Sequence, residues 1–376
     1  MNIFKVKTEI YYGEDSMDKL KDINNKNVMI VTDSFMEKSG VVDKIKDKLI
    51  NCNIIVFSEI LPDPDIEVIS KGVEILIKSK AEIIIALGGG SPIDAAKAIR
   101  EMTKNINKVE NIKLFAIPTT SGTGSEATMF SVITDRKKGI KYPLVSEGLL
   151  PDVAILSPEL VKSAPPSVTA DTGMDVITHA LEAYVSVNAS DCSDALAEKA
   201  LELAFEYLPI SYKNGDNLKA REKMHNASCM AGIAFNSASL GLNHGIAHTL
   251  GGKFHIPHGR ANAILLPTII EYNSCFNDNN YMEHSDAAKK YFKIAKLLNL
   301  PSSNVRIGVK NLIHEIEKMR KMMNIPSSLK ECGIDLNEVK LNMNEIAEKS
   351  LLDACTATNP KKPVKEDVIK IIGKIM

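Results

Sequence analysis

Over its first 160 residues the chain alternates short β-rich runs with stretches of helical periodicity, and no other feature restricts its fold as much. Residues 27–32, 53–57, 82–87, 113–117 and 153–156 are rich in Val, Ile, Leu and Phe. Residues 65–80 place Ile66, Val68, Ile69, Val73, Leu76 and Ile77 at roughly helical spacing. A strand that returns to its sheet through a helix runs parallel to its predecessor, and a parallel sheet has to be covered on both faces. The first half is therefore expected to be an α/β domain built on a Rossmann-like parallel sheet. After Pro165-Pro166 the texture changes to long helical patterns such as 194–207 and 305–323. The expected division is 1–163 as the α/β domain and 164–376 as an all-α domain, packed closely with a cleft between them.

The run at 82–87 leads straight into Gly88-Gly89-Gly90-Ser91-Pro92-Ile93-Asp94, which reads as strand, turn and helix start. Ser91 suits the N-cap, Pro92 the first helical position and Asp94 the reciprocal partner of a capping box. The unpaired N–H groups and positive dipole end of such a helix start can hold a pyrophosphate. An ordinary capped turn has the same sequence, and the motif is neither GxGxxG nor a P-loop. A second loop, Pro118-Thr119-Thr120-Ser121-Gly122-Thr123-Gly124-Ser125-Glu126, follows the run at 113–117 and is rich in hydroxyls. Two such loops at the ends of nearby parallel strands mark where these sheets bind nucleotides, and Asp94 is counted with them in the dinucleotide-binding set. Asp33, at the end of the first run, could accept from an adenosine ribose and repel a 2′-phosphate, selecting NAD over NADP; its spacing equally suits an N-cap for residues 34–38.

Charged residues make up 25% of the chain, yet residues 224–252 contain no Asp, Glu, Lys or Arg. Asn226, Ser228, Asn236, Ser237 and Asn243 make this run too polar to span a membrane, so it is expected to be buried, polar-lined interior. It holds His244 and His248, four residues apart. Asp175 and His179 repeat that spacing, which on a helix projects both side chains from one face. His258 follows after Gly251-Gly252 and Pro257, where the chain can turn back. A buried carboxylate among imidazoles is costly unless a cation organises it. Asp175, His179, His244 and His258 are thus candidate ligands for Fe2+, with Zn2+ as an alternative; core histidines satisfied by backbone carbonyls are the competing explanation. His225, His255, His284 and His314 are expected to be structural or surface residues. A dinucleotide and a Lewis acid together are the machinery of hydride transfer to a carbonyl, with His248 as the catalytic proton-transfer residue.

These residues resemble the iron-containing (group III) alcohol dehydrogenases, which share the dehydroquinate synthase-like fold. The resemblance covers essentially the whole chain. It rests on the two glycine loops, on Gly173-Met174-Asp175-Val176-Ile177-Thr178-His179-Ala180, and on His244-Gly245-Ile246-Ala247-His248 through Pro257-His258-Gly259. It implies that Asp175, His179, His244 and His258 hold iron, that His248 is linked to proton transfer, and that Asp33, Gly89, Gly90, Ser91, Thr119, Thr120, Thr123 and Lys141 contact NAD(H). Lys141 enters by the resemblance alone. Residues 138–144, 190–200 and 224–228 look most like the propanol dehydrogenases of diol- and ethanolamine-degrading microcompartment pathways. Ser157 departs from the family, whose members usually carry Asp there.

The implied function is interconversion of short-chain aldehydes and primary alcohols, propanal and 1-propanol or the ethanol and butanol pairs. A dehydroquinate synthase-like or glycerol dehydrogenase-like enzyme is the alternative, and a metallohydrolase using the Asp/His cluster a remote one. Only six of the 46 cationic residues are Arg, which disfavours a phosphorylated acid as substrate. With 47 acidic residues the net charge is −1, which argues against nucleic acid or an anionic membrane as partner. Six scattered cysteines without a CxxC pair, and an N-terminus lacking an apolar signal core, lead us to expect a cytoplasmic protein, associated with a microcompartment if the finer resemblance holds. A homodimer or higher homo-oligomer is expected.

Overall fold

A computed structural model describes residues 3–107, 111–137, 140–276 and 284–376. The chain divides into two compact units, Met1–Ala164 with Asp216–Gly232, and Pro165–Gly215 with Ile233–Met376. The segment 216–232, expected from the sequence in the helical half, packs with the first unit.

In unit 1, β1 (Glu9–Tyr12), β2 (Asn27–Val31), β3 (Asn53–Phe57), β4 (Ile83–Gly88), β5 (Lys113–Pro118) and β8 (Val153–Leu156) form one sheet, while β6 (Phe130–Asp135) and β7 (Ile140–Val145) form a separate antiparallel pair. The helices are α1 (Ser34–Lys38), α2 (Val41–Lys46), α3 (Ile66–Ser79), α4 (Gly90–Asn107) and α5 (Pro158–Val161). Every pairing in the six-stranded sheet is parallel, in the order β1-β8-β5-β4-β2-β3. Successive side chains of a strand point to opposite faces, so a strand covered on both sides must be apolar throughout. Met29, Val31, Ile84, Ala86, Leu114 and Ala116 accordingly pack under α3 and α4. Val28, Ile30, Ile83, Ile85, Leu87, Phe115 and Ile117 pack on the other face with Leu20, Ile45 and Leu160.

β3 lies on one side of β2 and β4 on the other. The strand order therefore reverses between β2 and β4, and the carboxyl ends of these two strands flank a switch point of the kind that binds ligands in open α/β sheets. Asp33 follows the first of them and Gly89-Gly90 the second.

Unit 2 takes its helices from α6 (Pro166–Val185), α7 (Asp191–Lys213), α8 (Leu218–Ala238), α9 (Leu242–Phe254), α10 (His258–Ser274), α11 (Asp286–Leu297), α12 (Val305–Met322), α13 (Leu336–Leu352) and α14 (Lys365–Lys374); among the described residues it holds no strand. α8 belongs to unit 1 up to Gly232 and to unit 2 from Ile233. Leu242, Ile246 and Leu250 of α9 pack with Ile264 and Leu265 of α10, Ile346 of α13 and Ile372 of α14. The charge-free run covers most of α8 and α9, and Met224, His225, Ser228, Cys229, Asn243 and His244 within it are buried. Among the described residues no helix is long and apolar enough to cross a membrane.

Candidate functional site

Asp175 and His179 lie one turn apart on α6, both buried. His244 is on the first turn of α9, and His258 opens α10. The reversal between these helices is tight: His255 ends α9 in the left-handed region at φ 56°, and Pro257 occupies the N-cap of α10. Gly259 completes the arrangement. A Cβ there would overlap the carbonyl oxygen of Asp171, so only glycine lets the first turn of α10 lie against α6 and bring His258 to Asp175.

The four side chains converge, each with one donor atom within 4.8 Å of the other three. Asp175 Oδ1 lies 3.7 Å from His244 Nε2 and 3.5 Å from His258 Nε2. Two ligand atoms bonded to one tetrahedral ion at metal–ligand distances near 2.1 Å stand about 3.4 Å apart. His179 stacks between Phe235 and His244, its ring centroid 4.6 Å from each.

Three further residues fix these donors. Glu182, buried one turn beyond His179, accepts from the backbone N–H of Asn243 at 2.7 Å and from His244 Nδ1. This contact turns His244 Nε2 toward Asp175. Asn262, one turn along α10 from His258, donates from Nδ2 to Asp175 Oδ1 at 2.7 Å, and the same nitrogen lies 3.0 Å from His244 Nε2 and 3.2 Å from His258 Nε2. Asn243 in turn donates to Asn262 Oδ1 at 2.8 Å. Burial disfavours a charged His244, but the carboxylates of Glu182 and Asp175 outweigh it and hold the imidazole up at about 9. Burial would likewise raise Asp175; the imidazoles of His179, His258 and His244 reverse that and hold its carboxyl below the usual range. A divalent cation would take the place of the His244 proton. One carboxylate, three imidazoles and this spacing fit Fe2+ or Zn2+.

His248 stands beside this set. Its ring stacks on His258 at 5.3 Å between centroids and meets His244 edge-on at 5.8 Å, while Nδ1 donates to Asp353 Oδ2 at 2.9 Å.

In unit 1, Gly88 has φ +146°, and α4 begins at Gly90. Ser91 thus lies inside the first turn of α4 rather than at its cap, and Pro92 at the third helical position rather than the first. Asp94 does not reach back as a capping-box partner either. Its carboxylate accepts from Ser125 Oγ at 2.6 Å and from the Val132 N–H at 3.0 Å, tying α4 to the second loop. Lys97, fully buried, reinforces that tie through Ser125 Oγ and the Phe130 carbonyl, both at 2.8 Å.

The two loops touch across bare backbone. A Cβ on Gly89 would stand 3.3 Å from Thr120 Oγ1 and one on Gly90 2.9 Å from Thr123 Cγ2, while the Thr119 N–H donates to the Gly88 carbonyl at 2.9 Å. Asp33 caps α1, its Oδ1 accepting from Phe35 at 2.9 Å and Met36 at 3.0 Å. Both bonds end on one oxygen, so Oδ2 takes no part in the cap. The backbone of Lys141 pairs with Thr134 in the β6–β7 ribbon; its side chain lies outside the described residues.

His225 of α8, fully buried, fastens the second loop. Nε2 donates to the Pro118 carbonyl at 3.2 Å and Nδ1 lies 3.0 Å from Ser121 Oγ, from which the neutral ring accepts. Burial pushes its pKa down to about 4, which keeps it neutral. His225→Ala is expected to lower unfolding stability by about 1–3 kcal/mol in denaturant titration, since a buried carbonyl and hydroxyl lose their partner.

Glu182, Asn262 and Asp353 are absent from the set derived from the sequence. Glu182 carries a usable signal, for it falls three residues after His179 on the face of α6 that holds both expected ligands.

Comparison with known proteins agrees with the geometry. The family model for iron-containing alcohol dehydrogenase matches residues 7–158, and that for the C-terminal part of the Fe-containing alcohol dehydrogenase family matches residues 169–376. The chain belongs to the iron-containing alcohol dehydrogenase family and is an alcohol dehydrogenase that interconverts alcohols and aldehydes; NAD(H) and Fe2+ are the cofactors of that family.

It is 44% identical over 364 residues to a 1-propanol dehydrogenase, PduQ, of Citrobacter freundii, covering 96% of each chain. It is 42% identical over 385 residues to an NADPH-dependent butanol dehydrogenase of Clostridium saccharobutylicum, covering 98% of this chain and 96% of the other. Among solved structures, an alcohol dehydrogenase from Oenococcus oeni matches with a TM-score of 0.90 at 31% identity over 100% of both chains. A sulfoacetaldehyde reductase from Bifidobacterium kashiwanohense, in complex with NAD+, matches with a TM-score of 0.86 at 27% identity, over 100% of this chain and 98% of the other.

Proposed function

We propose that the chain reduces short aldehydes to primary alcohols and runs the reverse oxidation, with propanal and 1-propanol as the preferred pair. The convergence of Asp175, His179, His244 and His258 carries this reading, and the likeness to a 1-propanol dehydrogenase supports the substrate. These four residues hold the metal. Gly89, Gly90 and Ser91, with Thr119, Thr120 and Thr123, cradle the dinucleotide, Lys141 contacts it, and Asp33 receives the ribose. Asp94 acts indirectly, by holding the second loop. When bound, the metal supplies a Lewis acid for the carbonyl and the dinucleotide supplies the hydride. His248 exchanges the proton with the alcohol oxygen; its Nδ1 is kept on Asp353, so Nε2 is the nitrogen left to do so. The same reading makes residues 1–163, joined by 216–232, the cofactor domain and the rest of 164–376 the metal domain of a cytoplasmic homo-oligomer, with microcompartment association following from the resemblance to propanol dehydrogenases.

Purified protein mixed with Fe2+, NADH and propanal without oxygen should consume NADH. Absence of turnover with every C2–C4 aldehyde and alcohol, with metal confirmed bound, would sink the assignment. Because one close relative is an NADPH-dependent enzyme, cofactor choice is tested separately. Asp33→Gly is expected to raise the ratio of kcat/KM for NADPH over NADH by about tenfold, the equivalent of one lost charge repulsion near 1.4 kcal/mol. An unchanged ratio would remove Asp33 from the ribose site.

A further inference from the structure

A second donor cluster adjoins the first. Asp353 closes α13 and caps the following turn, Ala354–Thr358, its Oδ1 accepting from the Cys355 N–H at 2.8 Å. Its Oδ2 faces His248 Nδ1 at 2.9 Å, and the Cys355 sulfur completes a group whose donor atoms all lie within 4.8 Å of one another. The turn is pressed onto α9. A Cβ on Gly245 would overlap Thr356 Oγ1, which itself donates to the Ser350 carbonyl at 2.6 Å, and Thr358 Oγ1 donates to the Leu240 carbonyl at 2.7 Å. The three donors thus sit on packed, hydrogen-bonded elements.

We propose that His248, Asp353 and Cys355 form a second metal site, which takes Zn2+ through His248 Nδ1 and, when filled, leaves Nε2 as a fixed N–H that can no longer accept a proton. Two ligand atoms on a tetrahedral zinc stand about 3.4 Å apart, so the His248 Nδ1–Asp353 Oδ2 contact at 2.9 Å has to open by about half an ångström, and the Cys355 sulfur, within 4.8 Å of a donor atom of each, has to settle to the same spacing, with water as fourth ligand. Zinc binding expels the thiol proton to solvent. Thiolate and carboxylate then cancel the two charges of the ion; because the Asp353 carboxyl is already ionised, filling the site raises the local charge by one, from negative to neutral. Sulfur makes the second set softer than the Asp/His set and favours Zn2+ over Fe2+. The inhibitory consequence rests on the role of His248 proposed above; the binding does not.

Cobalt separates the two sites, because only one of them contains sulfur. Adding two equivalents of Co2+ to the full, metal-depleted chain should produce a thiolate-to-cobalt charge-transfer band equivalent to one site per chain. Cys355→Ser should abolish the band, Asp353→Asn should weaken cobalt binding at this site at least tenfold, and Cys192→Ser should leave the band intact. No band from the parent chain with two cobalt ions bound, or an undiminished band in Cys355→Ser, would overturn the site. With the iron-loaded enzyme, Zn2+ should inhibit turnover, and Cys355→Ser should need at least ten times more Zn2+ for the same loss. Equal sensitivity, with the cobalt band behaving as expected, would overturn the inhibitory half alone.

Discussion

Asp175→Ala is expected to empty the metal centre and to reduce turnover by at least about 150-fold. Asp175 is the only carboxylate among the four converging donors, and its Oδ1 lies 3.7 Å from His244 Nε2 and 3.5 Å from His258 Nε2. Three imidazoles without it carry no negative charge to offset a divalent ion in a buried pocket. Removing one partner of a buried charge pair costs about 3–5 kcal/mol, which is roughly 150- to 4,000-fold in affinity. Iron content after desalting, measured beside NADH oxidation with propanal, checks both effects. Thermal unfolding gives an independent view: added Fe2+ should raise the Tm of the parent chain and leave the variant unmoved. A variant with full iron occupancy would remove Asp175 from the ligand set, and His258→Ala is judged by the same measurement.

The second large effect concerns a residue that touches no metal in this proposal. Glu182→Gln is expected to weaken metal binding by about 10- to 100-fold, the range found when the partner of a ligating histidine is altered. The glutamate holds His244 Nδ1 and the Asn243 N–H together. Glutamine preserves the volume and one accepting oxygen but not the charge, so His244 loses both basicity and a fixed tautomer. Competition with a chelator measures the affinity. Turnover should recover at saturating iron if Glu182 acts only through His244, and a variant binding iron like the parent would refute the role.

The sequence carried the parallel sheet and both loops because each is encoded locally. A doubly covered strand has to be a continuous apolar run, as at 83–87, and ligands on one helix have to repeat every three or four residues, as Asp175 and His179 do. β1 escaped notice because Glu9-Ile10-Tyr11-Tyr12 is short and only partly buried. The β6–β7 pair escaped because Pro143 interrupts it, which a two-stranded ribbon tolerates. Asp353 could not be found from spacing at all, for it lies 105 residues from His248 and meets it only through the packing of its turn on α9. Asp33 had two readings, cap and ribose partner, and the cap uses just one of its oxygens. The spacing of Asp94 suits a capping box, but its carboxylate is engaged by Ser125 and Val132, partners 31 and 38 residues away that no local pattern announces.

The contact between Gly259 and the Asp171 carbonyl also bears on how such a centre is inherited. A residue can be indispensable to an ion by offering it nothing: any side chain at 259 would push the start of α10 off α6 and carry His258 with it. A saturation library scored for growth on the alcohol should therefore reject substitutions at 259 about as strictly as at the histidines. A descendant gene could lose its iron while every ligand was still spelled out in its sequence.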